Sequence, residues 1–581
     1  MLSHVAANVE DASSVVVAGA GTGKTRTLTE RVTYLLAQGV DPRSIVAITF
    51  TNKAAKEMIE RVGLADRPSH ERPWIGTFHS FGARFLRKHA SHIGRTSSFS
   101  IYDEGDVRTL LRSIIKTLPK RMTPKQLREV FSHIKNGMTS LDELRTKGDP
   151  KSELFISAYA KYEEALKENN AFDFDDLITK TVSILTDQEA LRSRMQSYIQ
   201  YVLVDEYQDI NEVQYQLIKL LVGTSGKLTV VGDDHQTIYS WRGSDISIFL
   251  SFQEDWPGAH VVRLEQNYRS SKNIIEASNA VIGHNKNQLE KKLTTDDVAG
   301  PEITLHEAYR DEDEALWIAD TLALYKEGTA AILYRTNAQS RALEQALIRK
   351  RVPYRIYGGI QFYERREVKD VMAALRVVGN PQDELGKTRI IKTFGKRKGG
   401  MVLESLTSLP ETTPGKVIGL FLERSEYLSY IEERLDNSEM RKENIIELHR
   451  FANTFKTLPE FLEQVALVQS TDMSKGKGGT SREVILMTIH MAKGLEFDRV
   501  HIAGVSEGTL PHERSLLSDA DIEEERRLFY VAMTRARKEL SLSFVGIPSR
   551  FILEVPEQYL VLSGGRKLAL DDEERYIDVT W

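Results

Sequence analysis

Short apolar runs recur along the chain, each closed by a turn signal or by the start of a helical pattern. They are "SSVVVAGAG", "SIVAITFT", "YVLVDE", "KLTVVGDD", "AHVVRLEQ", "TAAILYRTN", "VILMTIH", "RVHIAGV" and "ELSLSFVG". Alternating with helical stretches, they predict parallel α/β sheets, and there are enough of them for two. From about Tyr102 to Tyr198 a 3.6-residue period takes over, as in "DVRTLLRSIIKTL" and "LFISAYAKYEEALKENN", which predicts a helical insertion in the first sheet domain. A second interruption runs from about Pro381 to Thr480, with "GKRKGG" near its start and "SKGKGG" at its end, and reads as a further insertion with flexible, basic, Gly-rich borders. The expected division is 1–101 with 173–258 as a first sheet domain and 102–172 as its insertion. Residues 259–380 with 481–560 form a second sheet domain, 381–480 its insertion and 561–581 a tail.

Composition narrows the class. At 581 residues the chain exceeds what one hydrophobic core serves, and its 41% hydrophobic and 28% charged residues are those of a soluble globular protein. No apolar run approaches the roughly 20 residues of a membrane span, and the first strand begins too early for a secretory signal. The absence of cysteine excludes disulfides, cysteine-ligated zinc and iron–sulfur clusters, and fits the cytoplasm as the expected location. With 78 basic and 83 acidic residues the net charge is −5, so a polyanionic partner has to be held by a local groove.

The first run leads into "AGAGTGKT" and then a helical pattern, the context in which backbone N–H groups and a helix N-terminus hold phosphate oxygens. Gly19, Gly21 and Gly23 let the backbone approach the phosphates within the loop Ala18, Gly19, Ala20, Gly21, Thr22, Gly23. Lys24 is expected at the β/γ-phosphates and Thr25 on Mg²⁺. Ala18 stands where a glycine is usual, and a small residue also fits a strand exit. In "YVLVDEYQD" the apolar run ends in Asp205 and Glu206, two carboxylates at the tip of a buried strand, where ligands of open α/β sheets sit. Asp205 suits Mg²⁺ coordination and Glu206 the base that orients or deprotonates water. Phe50, Tyr239 and Trp241 follow the C-terminal ends of predicted strands; read alone, each suits a core better than a surface on which bases stack.

With these motifs in hand, the chain resembles superfamily 1 helicases of the UvrD/Rep/PcrA type from about Val15 to about Pro556. The resemblance rests on the combination and order of "AITFTNKAAKEM", "GTFHSF", "VDEYQD", "VGDDHQTIYSWRG", "RLEQNYRSS", "YRTNAQSRALEQAL", "TIHMAKGLEF" and "EERRLFYVAMTRARKEL". It implies two RecA-like domains of the P-loop NTPase fold, each with a mostly helical insertion, using ATP and Mg²⁺ to act on single-stranded DNA and single-strand/duplex junctions. Arg269 and Arg535 match the arginine fingers, Gln236 the sensor of γ-phosphate and water, Glu496 the ribose ligand, and Arg26 and Tyr268 the pair that sandwiches adenine. Phe50, Tyr239 and Trp241 become base-stacking residues, Lys53, Thr77 and His79 backbone contacts, and His490 the link between ATP site and strand.

The chain departs from that pattern in three places. No glutamine occurs in "MLSHVAANVEDASS", where relatives carry one that reads the adenine edge. The segment between "NPQDE" and "REVILMTIH" is shorter than the usual second insertion, and "LSLSFVGIPSRF" leaves out the hairpin that splits duplexes. The leading expectation is a 3′ to 5′ single-strand translocase and helicase in repair, replication or recombination. One alternative is a translocase with weak unwinding that strips proteins or powers a partner, such as a nuclease or a replication or repair factor. Another is an ATP-gated subunit that senses DNA ends, against which the retained Lys24, Glu206, Arg269 and Arg535 argue.

Overall fold

The computed structural model describes residues 13–563 except 65–67, 69–70, 103, 120–121, 225, 358–361, 382, 410–411, 463–464 and 466–481. The border "SKGKGG", most of the expected tail and nearly all of the N-terminal stretch without glutamine lie outside the described residues. The chain forms two compact units, Met1–Tyr268 with Lys286–Asp296 and Leu422–Lys442, and Arg269–Asn285 with Asp297–Phe421 and Glu443–Trp581.

In the first unit the strands β1 (Ser14–Ala18), β2 (Ile45–Thr49) and β3 (Trp74–Thr77) precede a small parallel pair, β4 (Ser100–Ile101) and β5 (Ala171–Phe172). Strands β6 (Tyr201–Val204), β7 (Lys227–Gly232) and β8 (His260–Leu264) follow. The main sheet has six parallel strands in the order β3-β2-β6-β7-β1-β8. Alternate side chains enter different cores. Val15 and Val17 join one with Val46, Ile48, Val202 and Val204, while Val16 and Ala18 join another with Ile45, Ala47 and Leu203. A strand covered on both faces has no reason to alternate, so these strands are continuous apolar runs.

Strand β8, expected in the second domain, instead pairs with β1 from Ser14↔His260 to Ala18↔Leu264 and edges the first sheet. The expected insertion is helical, with helices Glu104–Ile115, Pro124–Lys135, Leu141–Lys147 and Pro150–Glu168 around their own core. Its Lys135, 1% exposed at the side chain, is clasped by Asp173 at 2.7 Å, Asp176 at 2.8 Å and Glu163 at 2.9 Å, which fixes the insertion where the chain re-enters the sheet domain.

The second unit holds seven parallel strands in the order β11-β12-β10-β13-β14-β9-β15. They are β9 (Ile303–Ala308), β10 (Gly328–Tyr334), β11 (Arg355–Ile356), β12 (Arg482–Thr488), β13 (Phe497–Ile502), β14 (Ala536–Val545) and β15 (Leu560–Ser563). Strand β15, expected to begin the tail, pairs with β9 and closes this edge. The "GKRKGG" segment, expected as a flexible border, begins the helix Lys396–Thr407 after Gly395 at φ 83°. Gly399 explains the difference: a Cβ there would stand 3.0 Å from Ile391 Cα, so the missing side chain lets this helix pack against the preceding one, Glu384–Phe394.

Candidate nucleotide site and nucleic-acid rim

In the first unit β1 ends at Ala18, the loop turns, and helix α1 (Lys24–Ala37) begins. Gly21 and Gly23 have φ of 68° and 93°, a left-handed conformation that side chains disfavour, and Thr22 Oγ1 donates to Gly19 O at 2.9 Å. Gly23 caps α1 without a side chain, which leaves the first-turn N–H groups directed at a ligand position. Lys24 Nζ lies 3.4 Å from Ala18 O and 3.3 Å from Asp233 Oδ2. Arg26 is largely exposed beside Glu30, and exposed Tyr268 is tied to the loop by its N–H, which donates to Gly21 O at 3.1 Å.

Strand β6 delivers the carboxylates. Thr25 Oγ1 donates to Asp205 Oδ2 at 3.2 Å, and burial followed by the neighbouring Glu206 pushes the Asp205 carboxyl up to about 7. Glu206 has φ 50°, uncommon for a residue with a side chain, and accepts from Gln208 Nε2 at 2.6 Å. A buried carboxylate short of positive charge, in contact with a hydroxyl, fits Mg²⁺, which takes one or two protein oxygens and completes its shell with phosphate and water. No cluster of three or more His, Cys, Asp or Glu able to hold a metal occurs among the described residues. Beyond β7, Gln236 Nε2 donates to Asp233 Oδ2, and both side chains are buried. Asp233 was missed from sequence, although it stands at the strand tip in "VGDDHQ".

The same ends of the strands carry an aromatic rim. Phe50 follows β2 and lies parallel to Tyr239, with ring centroids 6.3 Å apart and planes 6° apart. Tyr239 meets Trp241 edge-on at 6.4 Å, and Trp241 is 60% exposed. Lys53 is exposed in helix α2 (Asn52–Arg61). Thr77 caps helix α3 (Phe78–His89), its Oγ1 accepting from Ser80 N at 3.2 Å. His79 packs on Phe174 with centroids 4.7 Å apart, and burial lowers its imidazole to about 4, which keeps it neutral. Phe174, 58% exposed, is a further aromatic that sequence reasoning missed; its place between the aspartates of "DFDD" was the available signal.

In the second unit the predicted arginines converge on one turn. Arg269 Nε donates to Glu496 at 2.6 Å and its NH1 to Thr534 O at 3.2 Å. Arg535, 1% exposed, donates to Val531 O, Leu495 O and Thr534 Oγ1. Burial raises the Glu496 carboxyl, but Arg269 and Arg537 outweigh it and leave it below the ordinary value. His490 lies in the single turn Ile489–Ala492 that follows β12.

Residues 3–257 match the model of the UvrD/REP helicase N-terminal domain, and residues 262–414 and 422–546 match that of the UvrD-like helicase C-terminal domain. The chain belongs to the UvrD/Rep helicase family. Within it, the chain is 37% identical to the ATP-dependent DNA helicase PcrA of Bacillus subtilis, over 96% of this chain and 85% of that protein. It is 37% identical to the ATP-dependent DNA helicase UvrD1 of Mycobacterium tuberculosis, over 95% and 84%, and 36% identical to PcrA of Staphylococcus epidermidis, over 95% and 86%. The two parallel sheets are those expected of the RecA-like domains of a UvrD-type helicase. No helix among the described residues is long and apolar enough to cross a membrane.

Proposed function

We propose that this UvrD-family protein is a DNA-dependent ATPase that moves 3′ to 5′ along single-stranded DNA and separates duplexes during repair, replication or recombination in the cytoplasm, with ATP and Mg²⁺ as cofactors. The observation that carries the reading is the convergence, at the C-terminal ends of one sheet, of the phosphate loop, the Asp205–Glu206 pair and the aromatic rim of Phe50, Tyr239 and Trp241.

The loop from Ala18 to Gly23 holds phosphate oxygens by its N–H groups, and Lys24 compensates their charge. Thr25 and Asp205 would hold Mg²⁺, which when bound would supply further charge compensation at the phosphates. Glu206 orients the attacking water and accepts its proton, and Gln236 senses that water and the γ-phosphate. Arg269 and Arg535 stabilise charge developing in the transition state. Arg26 and Tyr268 sandwich adenine, and Glu496 holds the ribose. Phe50, Tyr239 and Trp241 stack on bases, Lys53, Thr77 and His79 hold the strand's backbone, and His490 links the strand to the ATP site.

A second reading, a translocase with weak unwinding that relies on a protein partner, is favoured by the short link Gly546–Ser549 between β14 and the helical turn Arg550–Leu553.

Lys24→Ala and Glu206→Gln test the core of the proposal. Both are expected to abolish DNA-stimulated hydrolysis, but only Lys24→Ala is expected to lose affinity for a slowly hydrolysed ATP analogue. Near-normal turnover in Glu206→Gln would remove the base from the mechanism.

A further inference from the structure

Asp233 and Asp234 are fully buried side by side after β7, and two lysines serve them. Lys24 faces Asp233 Oδ2 at 3.3 Å, while Lys291 faces the other oxygen, Oδ1, at 2.7 Å and also contacts Asp234. Lys291 comes from the strap Lys286–Asp296, which belongs to the first unit. The strap is held along its length. Leu289 N donates to Asp234 Oδ2 at 2.8 Å, Lys292 N to Glu265 Oε1 at 2.9 Å and Thr294 N to Glu265 O at 2.8 Å. Leu293 is buried against the phosphate loop, where a Cβ on Gly19 would come within 2.2 Å of its Cδ2. The Lys291 side chain is 1% exposed, so its charge is committed to these two carboxylates.

A buried carboxylate holds its cation strongly when that cation is its only one. With Lys291 present, Asp233 keeps a counter-charge on Oδ1 whatever Lys24 does on Oδ2. Without it, the buried Asp233 carboxylate would rely on Lys24, and the lysine would be held back from any phosphate. We propose that Lys291 is a positioning residue for ATP binding: it neutralises Asp233 at Oδ1, the oxygen that Lys24 does not face, so that Lys24 can pass to the nucleotide. This rests on Lys24 being the phosphate lysine, which the Lys24→Ala variant tests separately.

Two double variants with the same net charge decide the matter, each keeping one aspartate with Lys24. Lys291→Met with Asp234→Asn retains the carboxylate that captures Lys24, whereas Lys291→Met with Asp233→Asn removes it. Equilibrium binding of ATPγS with Mg²⁺ to the full chain, beside thermal melting, is the measurement. The first pair is expected to bind about tenfold more weakly than the second at matched melting temperature. Equal affinities for the two pairs would overturn the proposal, as would wild-type affinity in Lys291→Met alone. If the first pair does not fold, Lys291→Gln takes its place: a loss of affinity that Asp233→Asn restores supports the proposal, and a loss it does not restore overturns it.

Discussion

Trp241 is 60% exposed, and its ring continues the edge of the Phe50–Tyr239 stack. Trp241→Ala is therefore expected to weaken single-strand binding by about 1–3 kcal/mol, read by fluorescence anisotropy, and to spare ATPase activity measured without DNA. Phe174→Ala is expected to fall in the same range because its ring lies on His79 of the same rim. A different buried residue sets a pH dependence of stability. Glu314 accepts from Gly504 N at 2.8 Å inside the second unit, and burial pushes its carboxyl from 4.5 to about 7. In that window the folded state binds the proton that the unfolded chain has released, so stability is lost as pH rises from about 4.5 to about 7. Glu314→Gln is expected to flatten this decline, by an amount on the order of 2–3 kcal/mol by pH 8 in denaturant titrations of the second unit's transition.

Among the elements, legibility in the sequence followed burial. The strands covered on both faces, such as β1, β2, β6 and β7, stood out as apolar runs. Strand β9 did not, because "ITLHEA" is only partly buried near an edge and carries His306 and Glu307; β15 is similar, with Val561 and Leu562 about half exposed. The phosphate loop and the DE pair were legible because their residue types are confined to a strand tip, whereas Lys291 sits in the charged run "NKNQLEKKLTT" and reads as surface. Likewise, Gly-rich sequence at 395–400 suggested flexibility, but its glycine at 399 serves close approach. Gly399→Val is expected to force the two helices apart and cost about 1–3 kcal/mol, seen as faster amide exchange across 384–407 with the ATP site unchanged.

For the whole molecule, moving along a strand and opening a duplex are separable demands. Gly546–Ser549 is too short for a hairpin, with Gly546 at φ 75° turning β14 toward Pro548, which bridges Ser506. DNA stacking averages about 1.4 kcal/mol per base-pair step, so a motor lacking a wedge has to trap fraying against that bias. Robust single-strand-dependent ATPase and translocation are expected beside poor unwinding of long or GC-rich duplexes, improved by a single-strand trap; processive unwinding by the purified protein would show that another element parts the strands. The strap that carries Lys291 has a further consequence, during synthesis on the ribosome. The first sheet is complete in sequence at β8, but its buried aspartates meet their permanent cation only after the chain has entered the second unit and returned. At roughly 5–20 residues per second the wait is a matter of seconds. During it Asp233 has Lys24 but not yet Lys291 beside it, so nucleotide competence is expected to follow the completion of the sheet rather than accompany it.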